Sequence, residues 1–350
     1  MCNIAGYVGN KQAAPILIEM LKRQEIYDGG YSTGVVTIHE GKLYCKRILG
    51  NVDDFLKEFD LNDLPGTIGI AHTRPYNNQF TQVHPYISNN GKVAVVTNGT
   101  GCKPEFIPRK EALANMLLDK GFDFVTRFRD NESDYPRLKD GDRVSVVDIM
   151  SNLTQCYMDE GLECAEAFTK AADNLTAERI YGMVCADEPD SIKICRISRP
   201  MEILMAEDES YIATTRFGFP ENVKGDVMSL PVLHTCKVKK GSFEITPFAV
   251  KSEKVADITP VTYVKAYNKI ENMLKGGKEK PCIWDDIELA MLDMPELWNE
   301  QNNYSQYAKV GYDILWQLKE EGRLKSFLAP QSNPWRNADG IRILANMYID

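Results

Sequence analysis

The order in which hydrophobic patterns follow one another along this chain is its strongest constraint on fold. Short β-rich runs come first, at 3–8, 35–39, 41–48, 67–72 and 93–97, interrupted by an amphipathic stretch at 13–26 in which Ile16, Leu17, Met20 and Leu21 recur at helical spacing. Helical patterns follow at 109–120, 145–159 and 163–174, with Ser145 as the N-cap of the second. A second set of strands then covers 180–186, 192–197, 202–205, 211–214 and 242–247. Strands, helices and strands again predict two sheets with helices between or outside them, and exclude a regular βαβ repeat. The charged, aliphatic-poor segment 127–143 reads as a surface loop. Beyond about residue 255 the patterns at 261–274, 284–292, 304–324 and 341–347 all suit helices, broken by the Gly276-Gly277 to Pro281 turn and by Pro330, Asn333 and Pro334. The chain is therefore expected to divide into a mixed domain, 1–250, and a small helical domain, 256–350, of unassigned role. The apolar face of the 304–324 helix would pack in its own core, on the first domain or on a partner.

A length of 350 residues exceeds what one hydrophobic core usually supports, which agrees with two domains. The formal net charge of -9 argues against a broad nucleic-acid surface. No stretch reaches the length of a membrane span and the N-terminal apolar run is too short for a signal peptide, so a cytoplasmic location with no membrane partner is expected. Nine cysteines never occur as a CxxC pair and there are only four histidines, so neither a disulfide framework nor a metal centre is expected. Most of these cysteines read as small buried hydrophobes.

Cys2 is the exception. Removal of Met1 would expose a thiol and a free α-amine on one residue, and an α-amine with a pKa of about 8 is unprotonated often enough near neutral pH to act as base for its own thiol. Position two alone is also what any small residue after a first Met would occupy. Three further segments bear on the choice. Arg74 ends the strand in GIAHTRPYNNQFTQVHPY and offers a planar fork for a carboxylate, or else an ordinary surface ion pair. Asn98 and Gly99 end VAVVTNGT, where a side-chain amide and an unobstructed backbone N–H can hold an oxyanion; the same dipeptide is also a strong hairpin-turn signal. His72 and His84 are assigned to structural or loop-positioning roles.

Taken together, MCNIAGYVG, the His-Thr-Arg segment and the Asn-Gly segment resemble the class II glutamine amidotransferases, in particular the glutaminase domain of glucosamine-6-phosphate synthases, over residues 1 to about 250. The resemblance implies an α+β fold, a four-layer αββα N-terminal-nucleophile (Ntn) hydrolase sandwich, here with the small C-terminal helical domain appended. It implies that Cys2 attacks the side-chain amide of glutamine, that Asn98 and Gly99 form the oxyanion hole, that Arg74 holds the substrate α-carboxylate and that Asp134 holds its α-ammonium, with Asp148 as the competitor for that last role. No metal or organic cofactor is implied. Asn3 stands where the family has Gly, Asp28 where it has Arg, Pro75 where it has Trp, and Asn77 and Asn78 where it has Thr-His, so the departures gather around the pocket. The helical segment has no phosphate-binding Gly-rich loop, which puts any ammonia acceptor on a separate synthase subunit. Two other readings stay open: a cysteine amidohydrolase acting on a different amide, and a catalytically silent subunit that binds glutamine or regulates a synthase.

Overall fold

The computed structural model describes residues 1–75, 83–99, 107–129, 135–177, 179–248, 255–298, 304–332 and 341–349. In chain order its elements are β1 (Asn3–Val8), α1 (Ala13–Glu25), β2 (Ser32–His39), β3 (Lys42–Ile48), α2 (Val52–Glu58), β4 (Ile68–Arg74), β5 (Tyr86–Ile87) and β6 (Val93–Gly99). There follow α3 (Ile107–Asp119), α4 (Val146–Asp159), α5 (Cys164–Asn174), β7 (Arg179–Cys185), β8 (Glu188–Arg196), β9 (Glu202–Met205), β10 (Ser210–Ala213), β11 (Asp226–Ser229), β12 (His234–Lys239) and β13 (Ser242–Pro247). The C-terminal part holds α6 (Pro260–Leu274), α7 (Trp284–Leu292), α8 (Tyr307–Glu320), β14 (Lys325–Ser332) and β15 (Ile341–Tyr348).

The strands form the two expected sheets, one of seven strands in the order β11-β9-β10-β1-β4-β2-β3 and one of six in the order β13-β12-β8-β7-β6-β5. Their central strands are buried on two faces, and the alternation of side chains explains how. On β1, Ile4 and Val8 point into the space between the sheets while Ala5 and Tyr7 point outward beneath α1 and α2, where they meet Leu17, Leu21 and Phe55. On β6, Ala94 and Val96 fill the space between the sheets while Val93 and Val95 pack beneath α3, α4 and α5 against Leu117, Ile149 and Phe168. A period of two with both faces apolar is what a central strand of a four-layer sandwich requires. The order is helix, sheet, sheet, helix, as the family resemblance implies, and Ser145 caps α4 by accepting a hydrogen bond from the Val147 N–H at 3.3 Å.

The C-terminal segment differs from the sequence reading in one respect. Residues 341–347 were expected to be helical, but they lie in β15, paired antiparallel with β14 with Leu328 opposite Ala345. The reason is long-range. Met347 exchanges both backbone hydrogen bonds with Cys282 at 2.7 and 2.8 Å, and the Ala345 N–H donates to the Ile26 carbonyl at 2.8 Å. Those partners satisfy an extended backbone, and a short apolar run cannot choose helix over strand by periodicity alone. Helices α6, α7 and α8 share their core with Met1, Tyr27 and Phe217 from the start and middle of the chain. The α8 face thus packs on the first 250 residues: the Phe217 and Trp316 rings meet edge to face at 5.1 Å, and Lys309 pairs with Glu202 at 3.3 Å.

Candidate active site

The antiparallel register brings the candidate residues to one end of the sandwich. On β1 and β4, Asn3 lies opposite Thr73 and Ile4 opposite His72, so one step further along each strand come Cys2 and Arg74. On the other side of β4, Arg74 lies opposite Ser32 of β2. Arg74 is buried, its Nε donates to Ser32 Oγ at 3.2 Å, and its guanidinium stands 5.6 Å from the Tyr31 ring centre. Cys2 is half-buried and in no disulfide.

Asn98 and Gly99 reach the same region from the facing sheet. They do not form a hairpin turn. They end β6, where Asn98 lies opposite Ile180 and Gly99 opposite Arg179 of β7. Gly99 takes a φ of 126°, a conformation that costs a residue with a side chain. Asn98 is 1% exposed, and its Nδ2 has no hydrogen-bond partner among the described residues. A buried amide donor left unpaired is costly in a resting protein and useful where an oxyanion will form.

The two sheets are tied together beside this end by His72. Its Nε2 donates to the Thr97 carbonyl at 3.0 Å, linking the residue two before Arg74 to the residue just before Asn98. Burial first, and then the Arg74 charge, lower the His72 pKa to about 3, so its imidazole is neutral near pH 7. His84 lies with its ring 4.3 Å from that of His72, accepts a long hydrogen bond from the Thr97 N–H at 3.5 Å, and is likewise held well below the ordinary histidine value by burial. These histidines brace the site and are poorly suited to carry protons in it.

Asp134, Asn77 and Asn78 lie outside the described residues. Asp148, the competitor for the ammonium-binding role, is fully buried in the first turn of α4. Its carboxylate accepts from Thr126 N at 2.9 Å, Thr126 Oγ1 at 2.8 Å and Asn152 Nδ2 at 3.2 Å, and burial raises its pKa to about 6. Those bonds fasten the preceding loop to α4.

Asp28 acquires a clear partner. Its carboxylate pairs with the α-ammonium of Met1, while its backbone carbonyl accepts a hydrogen bond from Asn3 Nδ2. Glu288 of α7 stands 3.9 Å from the same ammonium, and one carboxylate oxygen each of Asp28, Asp285 and Glu288 lie within 4.8 Å of one another. Asp285 and Glu288 were not singled out from sequence. They sit three apart on one helix face in an otherwise ordinary apolar helix, and only the packing of α7 against Met1 gives them meaning.

No family model matches the chain. Its N-terminal part is 31% identical over 217 residues to a glutamine–fructose-6-phosphate aminotransferase (isomerizing) of Caldanaerobacter subterraneus, covering 61% of this chain and 31% of that protein. The enzyme of the same name from Pyrococcus horikoshii is 29% identical over 217 residues, covering 61% and 32%. The chain thus spans about a third of the length of these relatives. Among solved structures, the glutamine phosphoribosylpyrophosphate amidotransferase of B. subtilis, complexed with ADP and GMP, superposes with a TM-score of 0.58 at 14% identity, covering 99% of this chain and 72% of that one. That likeness bears on fold alone. No helix among the described residues is long and apolar enough to cross a membrane. The N-terminal part of the chain is thus similar in sequence to these aminotransferases, and its fold is like that of a glutamine amidotransferase.

Proposed function

We propose that residues 1–250 hydrolyse the side-chain amide of glutamine once Met1 has been removed and Cys2 carries a free α-amine. The observation that supports this best is Asn98, whose buried amide lacks a partner among the described residues, at the end of a strand in the sheet facing the adjacent strands that carry Cys2 and Arg74. The α-amine takes the thiol proton, directly or through a water, as the sulfur attacks the carboxamide carbon. Asn98 Nδ2 and the Gly99 N–H hold the oxygen that gains negative charge. As the tetrahedral intermediate collapses, the amine returns its proton to the leaving nitrogen and ammonia departs. Water then adds to the glutamyl thioester, giving glutamate and the free thiol. Arg74 holds the substrate α-carboxylate and Asp134 its α-ammonium. The chemistry requires no cofactor. The ammonia acceptor would lie on a separate synthase subunit, in the cytoplasm.

A second reading, a silent regulatory subunit, draws on Asn3 and Asp28, which stand where the family resembled has Gly and Arg: Asn3 Nδ2 donates to the Asp28 carbonyl and so sets the turn beside Cys2. The two separate on a chain prepared with Cys2 as its first residue, incubated with glutamine while ammonia and glutamate are measured beside a Cys2→Ala control. Equal release of both products, lost in the control, is the expected result. Glutamine binding with no turnover would favour the silent subunit, and turnover of another amide in its place would favour an altered substrate.

A further inference from the structure

Parts of the chain distant in sequence meet around a cavity of about 290 Å³, at the lower end of the size of ligand pockets. Ile26 at the end of α1, Phe217 from the loop between β10 and β11, and Leu324 ahead of β14 give it an apolar wall. The rest of the lining is charged or polar. It consists of Arg23, Glu221 and Lys319, with Tyr27 and Ser326, which carry hydroxyls.

Arg23 and Lys319 lie in the last turns of α1 and α8, where the helix carbonyls favour a positive charge without any ligand. That accounts for each cation singly and not for their convergence, which is unfavourable. Partial burial first, and then the Arg23 charge, hold the Lys319 pKa below the ordinary lysine value. Lys319 Nζ stands 5.3 Å from the Phe217 ring centre and 4.7 Å from that of Trp316, and it makes no ion pair among the described residues. Arg23 has one carboxylate, that of Glu221 at 2.9 Å, and its Nε is buried without a hydrogen-bond partner among the described residues. The Glu221 side chain is 76% exposed, so its pair with Arg23 is weak and open to exchange for another anion. Two cations and one loosely held carboxylate leave the lining with a positive excess. A phosphate monoester carries about two negative charges and three acceptor oxygens, enough to engage both cations, whereas a carboxylate neutralises only one.

We propose that this cavity binds a small organic phosphate, its phosphate held between Arg23 and Lys319 and its carbon skeleton lying against Ile26, Phe217 and Leu324. Glu221 gives up Arg23 as the phosphate enters and turns to solvent, so it acts as a weak internal competitor for the site. The site gives the C-terminal segment a role, because Lys319, Leu324 and Ser326 come from it while Arg23, Ile26 and Tyr27 come from the first helix and its end.

The test titrates the full chain calorimetrically with phenyl phosphate, inorganic phosphate and phenylacetate. Phenyl phosphate should bind at least about tenfold tighter than either of the others, because only it brings both the double charge and the apolar body. Lys319→Gln should weaken that binding about tenfold, and Glu221→Gln, which removes the competing carboxylate, should tighten it about threefold. Both residues lie at the surface, so neither change threatens the fold. Absence of phenyl phosphate binding at millimolar concentration, or the same affinity in all three proteins, would overturn the site. Inorganic phosphate or phenylacetate bound as tightly as phenyl phosphate would overturn the ligand class. Binding is read directly, so these results decide the site whether or not the chain hydrolyses glutamine.

Discussion

Replacing His72 with Gln tests how the two sheets are joined at the site, and the size of the effect depends on pH in a direction the structure sets. His72 spans from β4 to the Thr97 carbonyl of β6, and burial lowers its pKa from 6.5 to about 3. A group whose folded pKa is depressed contributes stability that is present above its unfolded value and lost as pH falls toward the folded one. For His72 that window runs from 6.5 down to about 3. Between pH 7 and pH 5 the unfolded chain gains most of a proton at this position and the folded chain almost none, which costs the native state about 2 kcal/mol. The raw pH profile of the protein will not display this. Glu25, raised to about 7, and Asp148, raised to about 6, both chiefly by burial, favour folding as pH falls across the same range and offset it. The difference between the two proteins isolates it. Gln keeps an amide that can donate to Thr97 but has no proton to gain, so urea unfolding should show His72→Gln destabilising at pH 7, with the penalty smaller by about 2 kcal/mol at pH 5. A penalty that is the same at both pH values would refute the reasoning, because it would mean that His72 is not held neutral by its burial.

The other expectations concern the site and its supports. Arg74→Lys replaces a planar fork with a point charge and should raise the glutamine KM of the Cys2-first chain by about tenfold with a smaller effect on kcat; loss confined to kcat would remove Arg74 from substrate binding. Asn98→Ala removes the buried amide donor and should lower kcat by about 10²–10³ with KM little changed, and an unaltered kcat would leave the oxyanion to other groups. A Cβ on Gly34 would stand 1.9 Å from the His84 carbonyl oxygen, so Gly34→Ala should destabilise by about 3 kcal/mol in urea unfolding, and a change near zero would mean that the chain around His84 yields freely.

What could be read from sequence follows the range of the interactions involved. The two sheets were legible because two sets of strands flank a set of helices, and their αββα layering was what the family resemblance implied. Helix α2 was missed. It is only seven residues long and begins with Asn51 and two aspartates, which look like loop, yet Asn51 and Asp54 form reciprocal capping bonds at 2.9 and 3.3 Å. β15 was misread because its backbone partners, Cys282 and Ile26, lie far away in the chain. Cys2, Arg74 and the Asn98-Gly99 pair were proposed from sequence because each ends or begins a strand in a recognisable local motif. Asp285 and Glu288 could not, since their role depends wholly on a helix docking over residue 1.

Two positions that look like independent departures in the sequence are one physical unit in the fold. Asn3 uses its side-chain amide to hold the Asp28 carbonyl, which fixes the turn after α1, and that turn presents the Asp28 carboxylate to Met1. An arginine at 28 would place a third cation beside the Met1 ammonium and Arg342, and a glycine at 3 would release the turn. The acidic pair on α7 completes the same arrangement from the other side. The unusual residues near Cys2 are therefore coupled to one another and to the segment that packs over residue 1. The proposed oxyanion side, by contrast, carries the Asn98-Gly99 pair, whose donors suit amide hydrolysis. A buried Asn98 amide with no partner among the described residues is costly unless negative charge forms beside it, which favours a working amide hydrolase over a silent subunit.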